Sequence, residues 1–182
     1  MELRHSKRLL REEMALLRKG QAADTLHDLS QRILDRLESL DLFRRASCVA
    51  LYHAIGGEVQ TGMFIDKWQG EKRILLPVVD GEELHFVPYG GKENLNPGAY
   101  NIPEPLQPRT EETPELIIVP GVAFDRSLNR MGRGKGYYDR FLQHLTVPRI
   151  GLCFAFQLVE RLPVEPFDVR MDMVITEHEI IT

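Results

Sequence analysis

Residues 115–145 read ELIIVPGVAFDRSLNRMGRGKGYYDRFLQHL. Leu116 to Val119 is an unbroken apolar run bounded by Glu115 and Pro120, the pattern of a strand covered on both faces. A long excursion follows, and the chain resumes as a helical pattern over 136–145. A buried strand feeding a helix is the building block of an α/β fold with a mostly parallel sheet.

The same alternation extends outward. SCVALYH (47–53), RILLPVV (73–79), ELHFVPY (83–89) and RIGLCFAF (149–156) read as strands separated by Gly, Pro and acidic turns, with a further helical pattern at 61–69. Before Ala46 the chain carries a helical pair. Over 2–19, Leu3, Leu9, Leu10, Met14, Leu16 and Leu17 form an apolar arc, with Arg4, Lys7, Arg8 and Arg11 on the opposite arc. Over 21–39, Ala22, Leu26, Leu29, Ile33, Leu37 and Leu40 repeat at three and four residues. The Pro-rich stretch NIPEPLQPRTEETPE (101–115) is excluded from a central strand or helix and is expected to cross the surface. The expectation is one α/β domain over 1–182, a mostly parallel central sheet flanked by helices, without internal repeats.

A chain of 182 residues suits one domain, able to bury roughly two-thirds of its unfolded surface. Apolar residues make up 43% and charged residues 27%, an ordinary globular mix. The apolar runs are too short to span a bilayer, and the charged N-terminus lacks a secretory pattern, so a cytoplasmic protein without membrane partners is expected. Cys48 and Cys153 sit in apolar sequence, as buried thiols do. No CxxC or HExxH spacing occurs, so any metal should be oxygen-bound. The net charge is −4, yet positive charge gathers in residues 1–19 and again between Arg130 and Arg140. That balance disfavours broad nucleic-acid binding and favours a local site for a small anion.

Gly132, Gly134 and Gly136 alternate with Arg133 and Lys135. Glycine lets the backbone turn its N–H groups inward, while a guanidinium grips phosphate oxygens in a fork and an ammonium acts as a mobile point charge. The following helix N-terminus is expected to add its dipole. The Walker loop fails on spacing, and so does the dinucleotide fingerprint. A mobile Gly-rich turn and an Arg/Gly RNA-binding segment remain alternatives on spacing alone, as a solvated basic face does for the first helix.

RMGRGKGYYDRFL, preceded by VPGVAFD, resembles the signature of the 5-formyltetrahydrofolate cyclo-ligase (5,10-methenyltetrahydrofolate synthetase) family. KRLLR (7–11), GGEVQT (56–61) and LPVEPFDVRMDMVIT (162–176) fall in the family's order. The resemblance implies a ligase that converts 5-formyltetrahydrofolate and ATP into 5,10-methenyltetrahydrofolate, ADP and phosphate, with Mg2+ required. It implies an ATP site of Lys7, Arg11, Arg130, Met131, Gly132, Arg133, Gly134, Lys135, Gly136, Tyr137 and Tyr138. Arg133, Lys135 and Tyr137 are its catalytic candidates.

By the same resemblance, folate contacts fall on His53, Glu58, Tyr100 and the stretch Arg133 to Tyr137. His53 also reads as a satisfied core histidine, and Tyr138 as core packing. The metal ligands implied are Asp139 and Asp168, with Asp172 a neighbour; without the resemblance, Asp139 reads as a first-turn helix residue. The expected partners are small molecules only, including polyglutamylated folate, acting on a monomer. The competing classes are an ATP-independent anion-binding enzyme, like phosphosugar isomerases or CoA transferases, and an RNA-binding module.

Overall fold

The structure, a computed structural model, describes residues 2–98, 103–106, 108 and 112–182. Three helices open the chain: α1 (Glu2–Lys19), α2 (Ala23–Ser39) and α3 (Asp41–Arg45). Strand β1 (Cys48–Ala50), α4 (Gly62–Trp68), and the hairpin of β2 (Arg73–Asp80) and β3 (Glu83–Pro88) come next. A small ribbon of β4 (Leu95–Pro97) and β5 (Pro103–Pro105) leads to β6 (Leu116–Val119). Then follow β7 (Ala123–Asp125), β8 (Arg130–Met131), α5 (Tyr137–Leu142), β9 (Arg149–Leu152), β10 (Leu158–Val159), β11 (Met173–Ile175) and β12 (Ile180–Ile181).

The main sheet has the order β12, β11, β9, β6, β1, β2, β3. The strands from β11 to β2 are parallel, and the edge strands β12 and β3 are antiparallel to their neighbours. The mostly parallel α/β sheet expected from the continuous apolar runs is therefore present. Period-two geometry operates inside those runs. Leu116 and Ile118 of β6 face the core under α2, α3 and α4, whereas Ile117 and Val119 face the core that includes Leu142 of α5. Each such side chain contributes about 1.5–3 kcal/mol on burial.

Two expectations are corrected. The apolar arc of α1 is split: Leu3, Leu9, Leu16 and Leu17 point outward, Leu9 48% and Leu16 71% exposed, while Met14 is buried, as is Lys7 of the opposite arc. The helix lies against the small sheet of β10, β7 and β8, where Leu10 and Met14 pack on Val122, Ala123, Met131 and Leu162. Its inward stripe is Lys7, Leu10, Arg11, Met14 and Arg18, at intervals of three and four. The last helix is also shorter than its pattern. It runs six residues, Tyr137–Leu142, behind a left-handed Gly136, so few peptide dipoles add at its N-terminus. Of the 101–115 stretch, the described residues contain one strand, β5, which pairs with β4 and not with the main sheet.

Candidate active site

Strands β1 and β6 are neighbours, but the chain leaves β1 toward β2 and leaves β6 toward β9. At such a switch point the loops at the carboxyl ends part. Here they open a cleft of about 610 Å³, within the usual range for small-molecule sites. Tyr52 to Glu58 lines one wall, Pro120 and Gly121 the floor of the switch point, and Arg130 to Asp139 the other wall. Helix α1 and the segment around Asp168 complete it. Every described residue proposed from the sequence as a ligand contact lines this cleft, and Tyr100 lies outside the described residues. Asp172 is elsewhere, paired with Arg149 at 3.2 Å.

The glycine loop is anchored from several sides. Arg11 donates Nε to the Gly132 carbonyl at 2.9 Å. Arg140 donates to the Lys135 carbonyl at 2.9 Å and to the Glu82 carbonyl at 2.6 Å, tying the loop to the β2–β3 hairpin. Gly134 and Gly136 adopt φ of +103° and +70°, which side chains rarely tolerate. The Lys135 ammonium makes no hydrogen bond or ion pair among the described residues and is thus uncommitted.

Glu58 is only 6% exposed. Its Oε1 accepts both Nε and Nη2 of Arg133, at 3.1 and 2.8 Å, and its Oε2 accepts the Ile55 N–H at 3.0 Å. Arg133 therefore bridges from the glycine loop to the opposite wall. Its own side chain remains 48% exposed, so the guanidinium can turn to another anion, and the cost of parting falls on the buried carboxylate.

Lys7 is turned inward between two carboxylates, Glu165 Oε2 at 2.7 Å and Asp168 Oδ2 at 2.6 Å. Asp139 is committed elsewhere. Its Oδ2 accepts Arg130 at 2.9 Å and its Oδ1 accepts the Val169 N–H at 3.2 Å. The two aspartates expected to share a metal are therefore not equivalent: both oxygens of Asp139 are used, whereas Asp168 Oδ1 and Glu165 Oε1 accept nothing among the described residues. No group of three or more metal-ligating side chains occurs among the described residues. A two-carboxylate corner with one excess negative charge fits Mg2+, which usually takes one or two carboxylates and completes its shell with phosphate and water.

Burial pushes the His53 pKa down, against a smaller opposing pull from Asp66. Its Nε2 is buried without a partner among the described residues, which does not fit a satisfied core histidine. The Tyr138 hydroxyl is likewise buried and without a partner among the described residues, and burial raises its pKa, helped by Glu58. Sequence reading missed Glu165, although it lies three residues before Asp168 in a segment already singled out. It also missed Phe167, which is 56% exposed on the cleft and has Lys7 Nζ 5.9 Å from its ring centre.

The sequence profile of the 5-formyltetrahydrofolate cyclo-ligase family matches residues 3–177. The chain belongs to this family. The cyclo-ligase of Escherichia coli strain K12 is 30% identical over 174 residues, 90% of this chain and 96% of the relative. That of Haemophilus influenzae is 31% identical over 174 residues, 89% and 92%. The NMR structure of Aquifex aeolicus 5,10-methenyltetrahydrofolate synthetase superposes with a TM-score of 0.87 at 35% identity, over 96% of this chain and 91% of that one. Cyclo-ligase and synthetase describe one reaction from its two ends: the enzyme converts 5-formyltetrahydrofolate to 5,10-methenyltetrahydrofolate. In this family member the cleft has one wall that carries Arg133 and Lys135 and a facing wall with the buried carboxylate of Glu58. Among the described residues no helix is long and apolar enough to cross a membrane.

Proposed function

We propose that the cyclo-ligase reaction runs through ATP in this cleft, with the nucleotide along Lys7, Arg11 and the loop 130–138 and the pterin against Glu58. The single observation that carries this reading is the Arg133–Glu58 contact, which joins the phosphate-type loop to a buried acceptor suited to the pterin's N–H donors. The formyl oxygen attacks the γ-phosphorus and its bond to ADP breaks. The N10 lone pair then attacks the activated formyl carbon, the carbon–oxygen bond to phosphate breaks, and the N10 proton leaves. The product is the cyclic methenyl cation with ADP and phosphate.

In this scheme Arg133 and Lys135 stabilise charge on the transferring phosphoryl group, where preorganised cations act most strongly. Tyr137 orients the formyl group from the same loop, and His53 lines the substrate end as a neutral imidazole. Arg130, held by Asp139 and by the Pro120 carbonyl at 3.2 Å, stiffens the floor. Gly132, Gly134 and Gly136 allow backbone approach, flanked by Met131 and Tyr138. Mg2+ would sit at Asp168 with Glu165, supplying charge neutralisation to the phosphates, and Asp139 acts through Arg130. Tyr100 belongs to the same proposal as a pterin neighbour. The same proposal takes the protein as a cytoplasmic monomer acting on ATP and folate, polyglutamylated forms included.

The test is turnover of 5-formyltetrahydrofolate followed by the product's near-ultraviolet absorbance, with and without ATP and with and without Mg2+. Product formation at the same rate without ATP rejects the reading and favours an ATP-independent anion-binding enzyme.

A further inference from the structure

Helix α1 reaches three separate parts of the cleft with one stripe of side chains. Lys7 meets Glu165 and Asp168, Arg11 meets the Gly132 carbonyl, and Arg18 donates Nη1 to the Gly56 carbonyl at 2.9 Å. Lys7 and Arg18 are eleven residues apart, about 16 Å along a helix. The first two contacts belong to the proposed nucleotide end. The third falls at the other end, on the Gly56–Gly57 turn that presents Glu58.

That turn closes on itself. The Glu58 N–H donates to the Ile55 carbonyl at 3.3 Å, and the Glu58 carboxylate accepts the Ile55 N–H at 3.0 Å. Gly56 and Gly57 both have positive φ, +52° and +79°. A Cβ on Gly57 would stand 2.6 and 2.7 Å from Cδ and Cγ of Arg18, so the arginine stem lies flat on the turn's backbone. Its Nε is buried without a partner among the described residues. Burial lowers the Arg18 pKa, Arg133 lowers it further and Glu58 opposes, so the two guanidinium groups share the field of one carboxylate.

We infer that Arg18 is a positioning residue for folate: it clamps the Gly56–Gly57 turn and stays beside Glu58 when Arg133 leaves for phosphate. This rests on the reading above that Glu58 meets the pterin. A cation that does not depart keeps the turn closed and a positive charge beside the buried carboxylate while the other changes partner. The nucleotide end is reached through Lys7 and Arg11, so the loss of Arg18 should be felt at one end of the cleft only.

The experiment compares wild type with Arg18→Met, Arg18→Ala and Arg18→Lys. Arg18→Met keeps an unbranched stem on Gly57 while removing donor and charge. Expected is a rise of tenfold or more in the KM for 5-formyltetrahydrofolate, with the KM for ATP within twofold, and recovery of most of the loss in Arg18→Lys. Calorimetric titration with 5-formyltetrahydrofolate alone should show the same ranking in Kd, and it reads out even if the wild type proves not to need ATP, an outcome that would reject the ATP reading alone. A folate KM and Kd within twofold of wild type in Arg18→Met overturn the inference. So do equal rises in both KM values, or loss of the fold in all three variants, because either would make Arg18 a general support of α1.

Discussion

Arg133 places two donors on a single oxygen of Glu58, at 3.1 and 2.8 Å, with the carboxylate buried and the guanidinium half exposed. The asymmetry decides what each substitution does. Removing Arg133 leaves a buried carboxylate without its closest cation, whereas removing Glu58 leaves a cation that can turn to water.

Arg133→Ala is therefore expected to cost about 1–3 kcal/mol of stability and to lower kcat by about a hundredfold or more. Glu58→Gln should leave stability nearly unchanged and raise the KM for 5-formyltetrahydrofolate at least tenfold. Urea midpoints and steady-state kinetics on both variants check the pair. Equal stability losses would show that the contact is structural.

Asp168→Asn and Asp139→Asn should separate cleanly. The first removes a carboxylate from the corner that suits Mg2+ and should raise the Mg2+ concentration for half-maximal activity severalfold. The second frees Arg130, which is 5% exposed, and should reduce kcat and thermal midpoint without moving the Mg2+ requirement. A Mg2+ titration of each variant distinguishes them, and a shift in Asp139→Asn alone would reverse the assignment.

His53 makes stability depend on pH. Burial sets its folded pKa below the ordinary histidine value of 6.5, so the unfolded chain takes up the proton first as pH falls. The stability present above about pH 6.5 is progressively lost through the folded pKa. Urea midpoints between pH 7.5 and 5 should therefore fall less steeply in His53→Asn than in wild type. Parallel slopes would refute this.

Both thiols should be inert in the native protein. Cys48 is pushed up to about 12, chiefly by burial and then by Glu112, and burial raises Cys153 further still. Thiolate is the reactive form. A disulfide reagent at pH 8 should label neither cysteine until denaturant is added, after which both should react.

Much of the fold was legible because buried parallel strands leave a strong mark. β1, β2, β3, β6 and β9 all lie within apolar runs evident from sequence. The strands β10, β11 and β12 were not, since two- and three-residue pairings carry no periodicity of their own. The orientation of α1 was misjudged for a physical reason: its inward surface meets a polar cleft, so the inward stripe holds Lys7, Arg11 and Arg18 beside Leu10 and Met14, and Leu3, Leu9, Leu16 and Leu17 face out. The family motifs marked the residues that meet at the cleft. They did not show which carboxylates would already be paired, because Asp139 and Arg130 are joined by a turn that only the folded chain makes.

Helix α1 carries none of the main sheet's hydrogen-bond ladder. It is held by a modest apolar patch and by its side chains at the cleft, so it can open without melting the rest of the protein. Ligands that engage Lys7 and Arg11 bind only its closed form and must raise its opening free energy, by about 2.7 kcal/mol at a hundred times Kd. A ligand bound as proposed above should therefore slow backbone amide exchange along residues 7–18, which makes that exchange a gauge of how full the cleft is.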